Sequence, residues 1–209
     1  GHTASLPKIL KKSGMDNYVF MRPMPEEGYT KETLFNWESD DGSSVCTYRI
    51  PWYYNFSEKE LFERLKEKAE NDKKDYMAFY GVGNHGGGPT IALIDEINNL
   101  PIDGMIYSTP DEYFNEVDKS GLETVRDELQ HHARGCYSAC SSVKRQNREC
   151  ENNLLAAEKL CVMAKELTGA KYPKEKLTKA WKNIMFNQFH DILGGCSVKK
   201  AYDDTGYLY

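Results

Sequence analysis

The sequence predicts an α/β segment followed by an all-α segment. Two observations carry this. Up to about Val117, short apolar runs with strand character alternate with helical stretches, and Gly, Pro and Asp turn signals separate them. From about Ala139, the residues Val143, Asn147, Cys150, Leu154, Ala157, Cys161 and Ala164 recur at alternating spacings of four and three, which is one face of a long helix. The character changes near Ser120-Gly121, so two domains are expected, residues 1–121 and 122–209. Alternation in the first implies successive βα units of a parallel sheet or barrel, whose active sites gather at the carboxyl ends of strands.

Each element has a local reason. Pro7 starts a helix from Leu6 to Lys12, and Gly14 stops it. Tyr18 to Met21 reads as a strand ended by Arg22-Pro23. Asp40-Asp41-Gly42 is a turn between Leu34–Glu38 and Val45–Ile50, so these form a hairpin. Ser57, with Glu60 three residues on, caps a helix that runs to about Ala69. Tyr76 to Tyr80 and Met105 to Ser108 read as further short strands, with helices over Thr90–Asn98 and from Pro110 to about Val117. In the second segment Leu155, Leu160 and Met163 widen the apolar stripe, so the long helix is expected to pack on two neighbours. Gly169 stops it, a second helix opens at Tyr172-Pro173 and runs through Met185, and a third starts near Val198. The stripe is too short and too rich in small residues for a coiled-coil seam.

Composition narrows the function classes. The 209 residues carry a net charge of −5, which disfavours nucleic-acid and anionic-membrane partners, since both recruit basic faces. No apolar run approaches the roughly 20 residues that span a bilayer. The six cysteines form no CxxC pair, which argues against a cysteine-built structural zinc site and for reduced thiols in a cytoplasmic setting.

Three segments carry candidate chemistry. In Phe186-Asn187-Gln188-Phe189-His190-Asp191-Ile192-Leu193-Gly194-Gly195, an imidazole and a carboxylate stand side by side before a Gly-Gly break. Imidazole suits zinc, and the carboxylate can hold a sugar hydroxyl; the competing reading is a histidine at a helix end. In Gly81-Val82-Gly83-Asn84-His85-Gly86-Gly87-Gly88-Pro89-Thr90, no lysine stands where a phosphate-binding loop needs one, so a ligand-facing loop competes with a plain strand-to-helix turn. In His131-His132-Ala133-Arg134-Gly135-Cys136-Tyr137-Ser138, the adjacent histidines would point apart on a helix and make no paired metal site, while Arg134 reads equally as a surface ion pair. Trp37 fits a sugar platform or an ordinary core.

Read in this order, and with the opening Gly1-His2-Thr3-Ala4-Ser5-Leu6-Pro7, these segments resemble glycoside hydrolase family 38, the retaining α-mannosidases. The resemblance runs over essentially the whole chain. It implies that residues 1–121 are the C-terminal part of a (β/α) barrel-like catalytic domain and that residues 122–209 are a middle domain built as a three-helix-type bundle. It implies a zinc-dependent enzyme that removes terminal α-linked mannose from oligosaccharides or glycans. His190 matches a zinc ligand and Asp191 a sugar-binding aspartate beside it, while Arg134 and Tyr137 lie in a segment that approaches the site. Asn84 stands at or near the position of the acid/base carboxylate. An amide cannot deliver a proton as a carboxylic acid does, so His85 is the substitute to consider and no catalytic residue is assigned with assurance. The family's His-x-Asp metal pair does not occur here, and the match at Gly1-His2 places the nucleophile upstream of Gly1, so the chain by itself is expected to be an inactive piece holding one zinc ligand. The expected partners are a glycan substrate and the remainder of the same polypeptide, with a homo-oligomer left open. Two other classes stay open: a non-catalytic helical scaffold or carbohydrate-binding module, and a metal-dependent hydrolase of another substrate.

Overall fold

The computed structural model describes residues 2–27, 30–55, 58–83 and 87–206, with His131 by its backbone alone. It is a mixed α/β structure that divides into two compact units, residues 1–132 and 133–209. The sequence placed the division at 121/122. The later boundary has a structural cause: Thr124–Val125 forms a strand of the first unit's sheet, and the Leu129 N–H donates to the His2 carbonyl at 2.7 Å.

In the first unit, helix α1 (Leu6–Lys12) is followed by strands β1 (Asn17–Phe20), β2 (Leu34–Glu38) and β3 (Ser44–Arg49). Helices α2 (Lys59–Asp72), α3 (Ile91–Asn98) and α4 (Pro110–Glu116) come next, and then β4 (Thr124–Val125). The four strands lie in the order β1-β3-β2-β4. The expected hairpin is present, with Leu34 opposite Tyr48 and Glu38 opposite Ser44 in antiparallel register. The flanking pairs β1–β3 and β2–β4 are parallel. Among the described residues, then, the strands form one mixed sheet rather than successive parallel βα units.

Alternation along the strands sorts the core. Phe35, Trp37 and Val45 face one side, where Phe20, Val125 and Leu129 complete a buried cluster with Leu6 and Leu10 of α1 packed on it. Tyr48, Ile50 and Phe114 form a second cluster. Phe62, Leu65 and Ile97 join α2 to α3 in a third. Trp37 is fully buried and its indole N–H donates to the Asp127 carbonyl at 2.8 Å, so it is a core residue and no sugar platform.

Two expected strands are absent. Residues 76–79 have no regular secondary structure, and Tyr80 alone of the run makes an isolated bridge. Their backbone is held by a side chain instead, since the buried Tyr48 hydroxyl accepts from Met77 N–H at 3.0 Å and lies 3.4 Å from its carbonyl. Met105 packs on the α2–α3 cluster, but Ile106 and Tyr107 are exposed, and among the described residues no strand pairs with them. An apolar run has strand character only when another strand takes up its backbone groups. The expected Ser57 cap lies outside the described residues; α2 has Glu58 at its N-cap position with no side-chain cap.

A 3-10 segment, His131–Tyr137, spans the boundary, and its backbone leaves helical geometry at Ala133, the first residue of the second unit. Helix α5 (Ser141–Thr168) follows and ends on Gly169. Then come α6 (Lys174–Asn187), the four-residue α7 (His190–Leu193) and α8 (Lys199–Thr205). The stripe forms the α5–α6 seam, where Leu154 meets Leu177 and Ile184 with Cys150, Ala157 and Cys161 around them. The Trp181 indole N–H donates across it to Glu158 at 2.7 Å. Only one face of α5 is covered. Leu155, Leu160 and Met163 are exposed and so is Ala164, because α6 is the one long neighbour among the described residues.

Candidate functional site

His190 and Asp191 sit on α7, past the end of α6. Helix α6 closes at Asn187, Gln188 caps it, and the chain then extends at Phe189 (φ −53°, ψ 135°) before winding again. His190 is therefore the first residue of a separate turn and caps no long helix. Ile192 and Leu193 N–H groups donate to the Phe189 carbonyl, and Gly194 N–H donates to His190 O at 2.9 Å. Both side chains reach solvent, His190 at 66% exposure and Asp191 at 44%. The His190 Nε2 and Asp191 Oδ1 atoms are 3.6 Å apart, close enough for an electrostatic contact and too far for a hydrogen bond. The Phe189 ring lies beside the imidazole, with centroids 4.4 Å apart.

A four-residue helix has no stability of its own, so its neighbours must hold it. The Tyr202 hydroxyl lies within hydrogen-bond reach of the Asp191 and Ile192 carbonyls at 3.3 and 3.2 Å, and accepts from Ser197 N–H. Just before the turn, Gln188 donates to Asn147 Oδ1 at 3.3 Å and to Glu151 Oε1 at 2.7 Å, both on α5. Asn187 is fully buried and donates to the Thr205 carbonyl. These supporting residues escaped the sequence reading. One signal was available: Asn147 is a polar residue in an otherwise apolar stripe, and a buried amide needs a partner.

The segment carrying Arg134 and Tyr137 meets this turn. A Cβ on Gly194 would stand 3.8 Å from Cys136 Sγ, and one on Gly195 would stand 2.6 Å from the Ala139 carbonyl oxygen. Residues near 136–139 and 194–195 are thus in contact, although the side chains of Arg134 and Tyr137 are themselves exposed. Asn84 and His85 lie outside the described residues. Of their loop, Gly83 packs against Tyr54 and Asn55, where a Cβ would approach the Tyr54 hydroxyl at 3.0 Å, so this glycine has a packing reason.

In the first unit, His132 Nδ1 lies 2.9 Å from Glu27 Oε1, and Arg22 Nη1 lies 3.2 Å from His132 Nε2. The Met24 N–H and this imidazole hold the Glu27 carboxyl below the usual carboxylate range. His132 is thus held between Glu27 and Arg22. His2 packs among Tyr18, Phe20 and Trp37, and burial holds its imidazole below the ordinary histidine value.

No three His, Cys, Asp or Glu side chains gather as a metal site among the described residues. His190 offers one nitrogen donor, and one ligand does not hold zinc. Among the described residues, a zinc site would thus find one of its donors, His190, and not the full set. No helix is long and apolar enough to cross a membrane, among the described residues.

Comparison with known proteins gives the family. Residues 1–134 match the glycosyl hydrolases family 38 N-terminal domain, and residues 130–209 match the alpha mannosidase middle domain. The chain is 32% identical to alpha-mannosidase G of Dictyostelium discoideum, over 98% of this chain and 20% of that protein. It is 30% identical to alpha-mannosidase 2C1 of Homo sapiens, over 98% of this chain and 21% of that protein. The fold is similar to the crystal structure of an alpha-mannosidase from Enterococcus faecalis V583, with a TM-score of 0.66 and 24% identity over 99% of this chain and 26% of that one. The chain spans about a fifth of the length of the curated relatives it matches.

Proposed function

The chain belongs to glycosyl hydrolase family 38, and on that premise we propose that it acts as part of a zinc-dependent retaining α-mannosidase that releases terminal α-linked mannose from oligosaccharides or glycans. In this reading the first unit is a portion of a (β/α) barrel-like catalytic domain and the second a helical bundle. The free thiols support a cytoplasmic setting.

The observation that carries the reading is the α7 turn, which presents an imidazole and a carboxylate to solvent on a backbone held from α5 and from α8. Bound zinc would supply Lewis-acid orientation of sugar hydroxyls. Asp191 is assigned to grip a mannose hydroxyl, a strong charge-assisted bond. His190 is assigned as one donor to the ion, the others belonging to parts of the relatives that this chain does not cover. Arg134 and Tyr137 are assigned to the sugar-facing rim. The carboxylate pair that a retaining glycosidase needs is not assigned to this chain.

The test uses the polypeptide at the length of its relatives. His190→Ala is expected to lower metal content and aryl α-mannoside hydrolysis together, by about 10-fold or more. Asp191→Asn is expected to keep most of the metal and to depress turnover. Unchanged metal content and unchanged rates in His190→Ala would reduce the histidine to a turn residue and remove the reading.

A further inference from the structure

The α7 turn needs a tether to the segment that bears Arg134 and Tyr137, and one side chain supplies it. Lys144 stands on the first turn of α5 and is only partly exposed. Its Nζ donates to the Leu193 carbonyl at 2.6 Å, 49 residues along the chain, and also to the Ala139 carbonyl. A residue that merely capped the start of α5 would need Ala139 alone. The second bond reaches the last residue of the His190–Leu193 turn. Gly195 closes the same junction from the other side, because its backbone lies so near Ala139 that no side chain fits between. Tyr202 and Gln188 hold α7 to α8 and to the middle of α5, so among these three side chains Lys144 alone joins the turn to residue 139.

We propose that Lys144 is a positioning residue for His190 and Asp191: it fixes the height of their turn against the 133–139 segment, and so the placement of the Asp191 carboxylate relative to Arg134 and Tyr137. Lysine suits this role. Its nitrogen carries three donors and no acceptor, so it can bond two carbonyls at once, and its long stem reaches from α5. Small displacements of a substrate-gripping group are costly in rate. The proposal rests on the reading of Asp191 as a sugar-gripping residue.

The experiment compares Lys144→Met, Lys144→Arg, Asp191→Asn and the Lys144→Met/Asp191→Asn double variant. It measures kcat and KM on an aryl α-mannoside in the polypeptide at the relatives' length, and amide hydrogen exchange of Gly194 and Gly195. Lys144→Met is expected to lower kcat/KM about 10-fold and to speed exchange at Gly194 and Gly195 while the α6 amides keep their protection. Lys144→Arg, which can still bond two carbonyls, is expected to recover most of both. The double variant is expected to lose clearly less than the product of the two single losses, because most of the Lys144 effect acts through the Asp191 carboxylate. Should Lys144→Met fail to fold, Lys144→Gln is read in the same way. Full activity in Lys144→Met beside an impaired Asp191→Asn, or losses that multiply in the double variant, would overturn the proposal. Full activity in Asp191→Asn would instead bring down the reading of the site on which it stands.

Discussion

At Gly195 the backbone lies at φ +76°, and a Cβ would stand 2.6 Å from the Ala139 oxygen. Two penalties coincide there, since an L-residue in the left-handed region costs about 1–2 kcal/mol and overpacking adds about 1–3 kcal/mol. Gly169, at φ +74°, closes α5 with open space around the same position and carries the first penalty alone. Gly195→Ala is therefore expected to destabilise the second unit by about 2 kcal/mol more than Gly169→Ala, as read by denaturant unfolding. Equal losses would show that the Ala139 contact relaxes freely. The Gly-Gly pair is visible in the sequence as a break. That its second member is pressed on residue 139 is not visible, because the contact joins positions far apart in the chain. The same holds for Lys144, which reads as one more charged residue on a helix until Leu193 is placed beside it.

Among the elements, α4 shows how local chemistry and pH meet. Its N-cap Thr109 hydroxyl accepts from Glu112 N–H at 3.3 Å, and the Glu112 carboxylate accepts from Thr109 N–H at 2.8 Å, a complete capping box. Those bonds, with the Ser108 hydroxyl, hold the Glu112 carboxyl below the usual range. Backbone N–H groups do the same for Asp118 and Asp41, and Lys68 does so for Asp72. A carboxyl whose pKa is lower folded than unfolded contributes stability that is present above its unfolded value, about 4. That contribution is lost as pH falls through the folded value. The melting temperature is therefore expected to hold from pH 7 to about 5 and to fall steadily below about 4, with a shallower fall in Glu112→Gln; a flat profile down to pH 2 would contradict it. Elements of this kind are legible in advance. Pro110 marked the start of α4, Gly169 marked the end of α5, and the four-three stripe outlined the α5–α6 seam. The strands expected at 76–80 and 105–108 were not, since composition announces an extended run and pairing depends on which other backbone comes alongside.

At the scale of the whole molecule, two compact units carry the two domains that the family matches delimit. Relatives about five times as long, such as alpha-mannosidase G, share their sequence with this chain over 20% of their length. The 209-residue chain assayed alone is accordingly expected to show no hydrolysis of an aryl α-mannoside above the buffer rate and no stoichiometric zinc, since His190 is one donor and no cluster of three gathers among the described residues. Turnover by the chain alone would mean that the carboxylate pair lies within it after all.

The sequence by itself determined the mixed α/β content, the hairpin, the proline start of α4, the glycine stop of α5 and the pairing of an imidazole with a carboxylate before a glycine break. These follow from periodicity and from residues adjacent in the chain, where φ/ψ preference and local hydrogen bonds act. It also determined the family, because four short motifs stand in one order. The tertiary structure decided the rest. It moved the unit boundary from 121/122 to 132/133 by pairing β4 with β2, buried Trp37 in the core, and left one flank of α5 uncovered. It also lifted His190 off the end of α6 onto a turn that Lys144, Gln188 and Tyr202 support. Each of these depends on a carbonyl, an amide or a face supplied by a residue distant in sequence, and no pattern along the chain records which distant group will arrive.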